Sequence, residues 1–151
     1  MRLPSADLRV LFAGTRMTVL PEDYVVAYVP LESKQIPGEW FHPATTRFLV
    51  VVREEDRYVL VLPRAKWLKM KNLFEDAEVE GPLRVIALDA GSTKFVAGYL
   101  TQLGAVMTTA RIRTFPISSF RRNHLMIEKP DLPRTVKVLR EFIERCKSGK
   151  K

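Results

Sequence analysis

The order of apolar segments in the second half of the chain predicts an α+β fold, with an antiparallel sheet and helices on one face. Residues 83–88 form an apolar, β-branched run that indicates a strand. A helical stripe follows at Val96, Leu100, Leu103 and Met107. Two extended runs, residues 110–117 and 124–128, then precede a second helix. With one strand from the first half, this order is the ferredoxin-like βαββαβ plan.

The first half of the chain contains three further apolar runs, residues 24–29, 48–52 and 58–62. The last two flank a charged segment and predict a hairpin. Residues 8–12 and 17–20 flank a turn containing Gly14, and they predict either a hairpin or an extended arm. Residues 64–74 predict a short amphipathic helix with a basic face, in which Trp67 covers the core.

The last helix has the clearest boundaries. Asp131 is a suitable N-cap and Pro133 fits the first turn. The apolar stripe lies at Leu132, Val136, Leu139 and Ile143, and the helix should run to about Cys146. The preceding extended run contains Pro116, which belongs at a sheet edge or a bulge.

Composition limits the classes of function. The 151 residues carry a formal net charge of +8, so an anionic partner has to be considered. The one cysteine and two histidines cannot form a disulfide within the chain or a Cys/His zinc array. No apolar run approaches a membrane span of ~20 residues, and the N-terminus lacks the core of a signal peptide. We therefore expect a cytoplasmic protein that needs no cofactor and has no membrane partner.

Residues 89–98 form a turn rich in Gly, Ser and Thr between the predicted strand and helix. Unpaired N–H groups at a helix N-terminus favour a carboxylate or phosphate, so the turn is a candidate ligand site. The alternative is that Gly91 and Gly98 only permit a tight turn and close packing.

The second half of the chain resembles the ACT domain over residues 83–145. The resemblance is carried by residues 98–103, the helix to Met107, residues 112–120, the strand 125–127, and Asp131 with its amphipathic helix. Members of this family usually carry a second, more divergent unit in front. The acidic, turn-like segment 75–82 predicts a subdomain boundary. The resemblance implies a divergent ACT-like subdomain at residues 1–80 and an ACT domain at residues 81–151.

The resemblance implies a non-catalytic regulatory protein that binds an amino acid or an acidic metabolite where ACT units pack together. It also implies a homo-oligomer and a protein partner that receives the signal. Carried over by position, one ligand-facing wall is the turn at Asp89, Gly91, Ser92, Thr93, Phe95, Val96 and Gly98. The other is the strand end at Ile117, Ser118, Ser119 and Phe120, with Arg121 beside it.

One departure from the family concerns the ligand. Where the family often has acidic residues, this chain has Arg121, Arg122, Asn123 and His124. A basic ligand is therefore disfavoured, and an acidic or phosphorylated ligand is favoured. The alternative is that both arginines point to solvent.

The sequence also bears on two other classes of function, an enzyme and a nucleic-acid-binding protein. Ser118 and Ser119 lie near His124 in the sequence, but no nucleophile-elbow motif surrounds them, so an enzyme is not expected. A basic ferredoxin-like nucleic-acid-binding protein is the alternative. Phe115 and Phe120 do not reproduce the aromatic pattern of RNA-binding sheets. A phosphate-binding surface would use basic residues at Arg64, Lys66, Lys69, Lys71, Arg111, Arg113, Arg121 and Arg122.

Overall fold

The computed structural model describes residues 4–31, 36, 38–42, 46–91, 97–119 and 122–149. Contacts divide the chain into two compact units, which we call the flanking unit (residues 1–20 and 84–151) and the inserted unit (residues 21–83). The sequence-based domains, 1–80 and 81–151, differ from these units mainly in the placement of residues 1–20.

The helices and strands follow one another in a mixed order. In chain order they are α1 (Ala6–Gly14), β1 (Arg16–Val19), β2 (Tyr24–Pro30), β3 (Val50–Arg53), β4 (Arg57–Pro63), α2 (Arg64–Met70), β5 (Glu78–Asp89), α3 (Tyr99–Thr109), β6 (Thr114–Ser118), β7 (Arg122–Glu128) and α4 (Leu132–Ser148). Short 3₁₀ turns lie at Gly38–Phe41, Lys71–Leu73 and Lys129–Asp131.

The inserted unit is an antiparallel sheet with the strand order β3, β4, β2 and the first half of β5. The predicted hairpin is confirmed, with Val51 opposite Leu60. Helix α2 supplies Trp67, which is buried and stacks on Phe74 with ring centroids 5.7 Å apart. The predicted role of Trp67 as a core residue is therefore confirmed.

The flanking unit has the strand order β6, β7, β5 and β1. Strand β1 pairs antiparallel with the second half of β5, so that Arg16 lies opposite Asp89 and Val19 opposite Ile86. Strand β6 lies at the sheet edge and contains Pro116. The edge placement predicted from that proline is confirmed, because proline has no N–H to donate to a further strand.

Helices and strands of the flanking unit share one apolar core. Alternate residues of β5 and β7 supply Ile86, Leu88, Leu125 and Ile127. The segment between α3 and β6 adds Ile112, and the helices contribute the remaining buried side chains, Phe12, Tyr99, Leu103, Val106, Met107, Leu139, Phe142 and Cys146. The Phe12 ring stacks on Tyr99 at 4.2 Å and meets the edge of Phe142 at 4.9 Å. These rings join α1, α3 and α4 around one aromatic cluster.

The strand predicted at residues 8–12 is wrong, because this segment belongs to α1. Leu8, Leu11, Phe12 and Thr15 lie at i, i+3, i+4 and i+7, which places them on one helix face. Phe12 and Thr15 are buried, and Leu8 and Leu11 are packed against the core. The helical period was present in the sequence, but the apolar composition of residues 8–12 obscured it.

The predicted stripe of α3 is also partly wrong. Leu100 is 40% exposed, and the buried face is Tyr99, Leu103, Val106 and Met107. Val96 lies outside the described residues. The helix begins only at Tyr99, so its inward face is set by the residues that follow Gly98.

Helix α4 is confirmed, although its first turn differs in detail. Asp131 holds the N-cap position without a side-chain capping bond. Its carboxylate pairs with Arg134 at 3.2 Å, and its carbonyl accepts a bond of 2.8 Å from the Thr135 hydroxyl. The helix runs two residues past Cys146 to Ser148 and ends at Gly149, whose φ is +64°.

Candidate functional site

Three strand ends of the flanking unit meet at one edge of its sheet. Asp89 is the last residue of β5, while Arg16 and Arg122 are the first residues of β1 and β7. Strands β1 and β7 are both neighbours of β5. The sheet therefore brings together three charged residues that lie far apart in the sequence. We call this end of the sheet, at Asp89, Arg16 and Arg122, the Asp89 edge.

The Asp89 carboxylate binds three groups at this edge. Its Oδ1 accepts a hydrogen bond of 3.0 Å from the Gly91 N–H. Its Oδ2 lies 3.2 Å from Arg16 Nη2 and 3.5 Å from Arg122 Nε. The Gly91 N–H bond, then the Arg16 bond, and the nearby Arg122 charge lower the pKa of Asp89 below its usual range.

The β6–β7 turn forms the adjacent wall and is held by its own hydrogen bonds. The Ser118 hydroxyl donates to Asn123 Oδ1. Ser119 donates to the Arg122 carbonyl twice, from its N–H at 2.8 Å and from its hydroxyl at 3.0 Å. The turn thus fixes the backbone of Arg122, whose side chain reaches Asp89.

The first residue of α3, Tyr99, is buried and contacts Thr15, the residue that follows α1. Gly98 has φ +89°, and its carbonyl accepts a bond of 2.8 Å from Gln102 N–H. The Tyr99 hydroxyl lies 3.0 Å from Thr15 Oγ1, and burial raises the pKa of Tyr99. Because the Thr15 hydroxyl donates to the Leu11 carbonyl, the Tyr99 hydroxyl is the donor in the pair.

Half of the predicted site residues can be placed. Asp89, Gly91, Gly98, Ile117, Ser118 and Ser119 are described, while Ser92, Thr93, Phe95, Val96, Phe120 and Arg121 lie outside the described residues. The Asp89–Arg122 contact links the strand that carries one predicted wall to the turn that carries the other.

Sequence reasoning missed Arg16 as a site residue. Arg16 and Asp89 are 73 positions apart, and no local pattern relates them. Only the antiparallel register of β1 on β5 places them opposite each other. An isolated charge at the start of a short apolar segment was the one available signal.

The hydrogen bonds of the β6–β7 turn indicate that its serines have a structural role and are not nucleophiles. Ser118 and Ser119 donate their hydroxyls to Asn123 and to the Arg122 carbonyl. Burial, followed by the Arg122 charge, lowers the pKa of His124, so its imidazole is neutral at pH 7. Within the part of the chain that is described, no group of three or more His, Cys, Asp and Glu side chains is arranged to hold a metal ion.

Comparisons with known proteins identify the fold. No family model and no curated protein sequence matches this chain. A protein of unknown function from Vibrio cholerae, described as a possible transport protein, matches 91% of this chain and 96% of its own, with 17% identity and a TM-score of 0.68. Among the described helices, none is long and apolar enough to cross a membrane.

Regulatory domains of aspartate kinases share the same fold. A putative C-terminal regulatory domain of aspartate kinase from Porphyromonas gingivalis aligns over 85% of this chain and 96% of its own, with 14% identity and a TM-score of 0.55. The aspartate kinase of Clostridium acetobutylicum aligns over 87% of this chain but only 34% of its own, with 10% identity and a TM-score of 0.62. The chain therefore has the α+β fold of ACT-type regulatory domains.

Proposed function

We propose that this protein is a non-catalytic regulatory protein of the ACT type, which binds a small metabolite of the amino-acid class and signals its level to a partner protein. The binding site is the sheet edge formed by Asp89, Gly91 and the turn at Ser118 and Ser119. Packing of ACT units between copies of the chain would complete this site and make the protein a homo-oligomer.

The contact between Asp89 and Arg122 is the observation that carries this proposal. It joins β5 to the β6–β7 turn, so that backbone groups and hydroxyls from two segments lie at one edge. The Ser118 and Ser119 hydroxyls donate within the turn, but their oxygens keep lone pairs that can accept hydrogen bonds from the ammonium group of an amino acid.

The strand orders support a tandem arrangement of two ACT-like units. Numbered along the chain, the strands of the inserted unit are β2, β3, β4 and the first half of β5, and they lie in the order 2-3-1-4. In the flanking unit, β5, β6 and β7 are counted as strands 1, 2 and 3, and β1 is counted as strand 4. The spatial order β6, β7, β5, β1 is then also 2-3-1-4. We propose that the inserted unit is the divergent ACT-like subdomain, and that residues 84–151 with β1 form the ACT domain.

The inserted unit departs from the plan where its first helix would lie. Between β2 and β3 the described residues contain the 3₁₀ turn Gly38–Phe41 in place of an α-helix. Among the described residues between β2 and β3, no α-helix begins. In the flanking unit, by contrast, α3 follows β5. This difference supports placing the ligand at the flanking unit.

A titration followed by amide NMR tests the proposed site. The full chain is titrated with the common amino acids and small acidic metabolites, and binding is expected to shift the amide signals of Gly91, Ser118 and Ser119. The β3–β4 turn at Glu54 and Glu55 serves as the internal control. A bound ligand should also raise the melting temperature, because it stabilises only the folded state.

Two results would contradict the proposal. One is the absence of binding by every compound tested. The other is a saturable ligand whose signals change only outside the Asp89 edge. Either result would leave the fold assignment intact and remove the functional one.

A specific observation keeps nucleic-acid binding as a second candidate. Arg64, Lys66, Lys69 and Lys71 lie within eight residues, and no ion pair to another described residue is formed by any of them. Trp67, the aromatic residue among them, is only 5% exposed and cannot stack on a base. Such a surface would bind phosphates without sequence preference, and its affinity would fall steeply with added salt.

A further inference from the structure

We propose that the Asp89 edge selects metabolites with an acidic side group, a carboxylate or a phosphate, and that Arg16 and Arg122 bind this group. This inference rests on the proposed function and specifies the chemistry of the ligand. It adds Arg16, a residue of β1, to the binding site.

The exposure of the three side chains indicates which charge meets a ligand. The side chains of Arg16 and Arg122 are 82% and 58% exposed, whereas that of Asp89 is 23% exposed. The Asp89 carboxylate is therefore the least accessible of the three charged groups. A molecule approaching this edge therefore meets guanidinium groups before it meets the carboxylate.

The hydrogen bonds leave donors available on both arginines. Arg16 uses Nη2 toward Asp89, and Arg122 uses Nε. A guanidinium has five N–H donors in a planar fork. The remaining donors of Arg16 and Arg122 form no side-chain hydrogen bond or ion pair with another described residue. They can bind a carboxylate or phosphate in the bidentate geometry that guanidinium groups favour.

The acceptors of Asp89, in contrast, are already engaged. Oδ1 accepts from Gly91, and Oδ2 is shared by the two arginines. An ammonium or guanidinium group of a basic ligand would have to share these oxygens with the donors already bound, and it would face two like charges. The edge thus disfavours lysine and arginine as ligands and favours acidic compounds.

The distribution of charge along the chain also favours acidic ligands. The flanking unit contains 17 Lys and Arg against 6 Asp and Glu, a net charge of +11. The inserted unit contains 8 against 11, a net charge of −3. The positive field of the flanking unit should attract anions to its surface and raise their rate of association.

Calorimetric titration of the full chain with matched ligand pairs tests this selectivity. Aspartate is compared with asparagine, glutamate with glutamine, and phosphoserine with serine, while lysine and arginine represent basic ligands. We expect the acidic member of at least one pair to bind about tenfold tighter than its neutral partner, and the basic amino acids to bind more weakly than either. Comparison of the three pairs distinguishes a carboxylate from a phosphate.

Three variants locate the source of the selectivity. Arg16→Gln and Arg122→Gln should each abolish the preference for the acidic ligand, while the affinity for the neutral partner changes little. Arg113→Gln is the matched control, since Arg113 is a 65% exposed arginine of the same unit that pairs with Glu128 rather than Asp89. It should retain the full preference. Melting temperatures close to that of the wild type verify that each variant is folded.

The possible results are separable. Equal affinity for acidic and neutral partners, or preferred binding of a basic amino acid, would overturn this inference and leave the proposed regulatory function standing. An acidic preference that survives in either Arg16→Gln or Arg122→Gln would also overturn it, because both arginines are assigned to the acidic group. If no compound of any class binds, the proposed function itself fails.

Discussion

Thr15 shows how a single hydroxyl joins two helices. It is 8% exposed, donates to the Leu11 carbonyl at 2.9 Å, and accepts from the Tyr99 hydroxyl at 3.0 Å. A buried polar group that loses its partner costs about 1–3 kcal/mol of stability. Thr15 therefore matters more than its size suggests, because its removal leaves the Tyr99 hydroxyl without an acceptor.

We expect Thr15→Val to lower the free energy of unfolding by about 1–3 kcal/mol, and Tyr99→Phe to lower it by only about 1 kcal/mol. Phenylalanine removes the donor but leaves the Thr15–Leu11 bond in place. Urea denaturation followed by circular dichroism measures both values. Thr109→Val is the control, because the Thr109 hydroxyl makes the same type of bond to Ala105 at 2.8 Å on an exposed surface. A cost for Thr15→Val no larger than that of the control would contradict this account.

At the scale of a helix, the two glycines of the α3 region have opposite roles. Gly98 precedes the helix at φ +89°, and a Cβ there would lie 3.4 Å from Leu8 Cδ1. Gly104 lies in the exposed middle of α3, where a Cβ would meet no atom within 4 Å. The sequence singled out Gly98 correctly as a turn residue, although its ligand role stays a prediction.

We expect Gly98→Ala to destabilise the protein by about 1–3 kcal/mol, because alanine is strained at positive φ. Gly104→Ala should stabilise it by up to about 1 kcal/mol, because alanine has the higher helix propensity. Thermal and urea unfolding of the two single variants measure the difference in sign. Destabilisation by both substitutions would mean that α3 is packed more closely than its geometry indicates.

Across the whole molecule, the chain contains two apolar cores that draw on different side chains. One includes Phe12, Leu139 and Phe142 of the flanking unit, and the other includes Leu60, Leu62 and Trp67 of the inserted unit. Phe142 and Trp67 are each at least 95% buried. Replacing a buried aromatic side chain with alanine typically costs about 3–5 kcal/mol.

Hydrogen exchange of the variants Phe142→Ala and Trp67→Ala should therefore show which segments each core stabilises. Phe142→Ala is expected to lower the protection of amides in residues 85–88 and 125–127 first. Trp67→Ala should act first on residues 25–29 and 58–62, because local stability follows local packing. Equal loss of protection in both sets, for either variant, would show that the chain unfolds as one cooperative unit.

Much of the fold was accessible from local patterns. The β3–β4 hairpin follows from two continuous apolar runs around a charged segment, the edge position of Pro116 from its missing N–H, and the extent of α4 from helical spacing. Each of these signals depends on neighbouring residues only. Residues 8–12 were predicted incorrectly because apolar composition outweighed their helical period. Leu100 was placed on the wrong face because the start of α3 depends on Gly98 and on the packing of Tyr99 against Phe12.

The sequence by itself determined the α+β class, the order of elements in the second half and the turn at Asp89, since each depends on short-range preferences. Tertiary structure alone decided that β1 occupies the fourth strand position of the flanking unit and that Arg16 lies opposite Asp89. Strand partners are chosen by burial and register between distant segments, and no local pattern carries that information. The charge of the candidate site was decided in the same way, because it depends on which strand ends the sheet brings together.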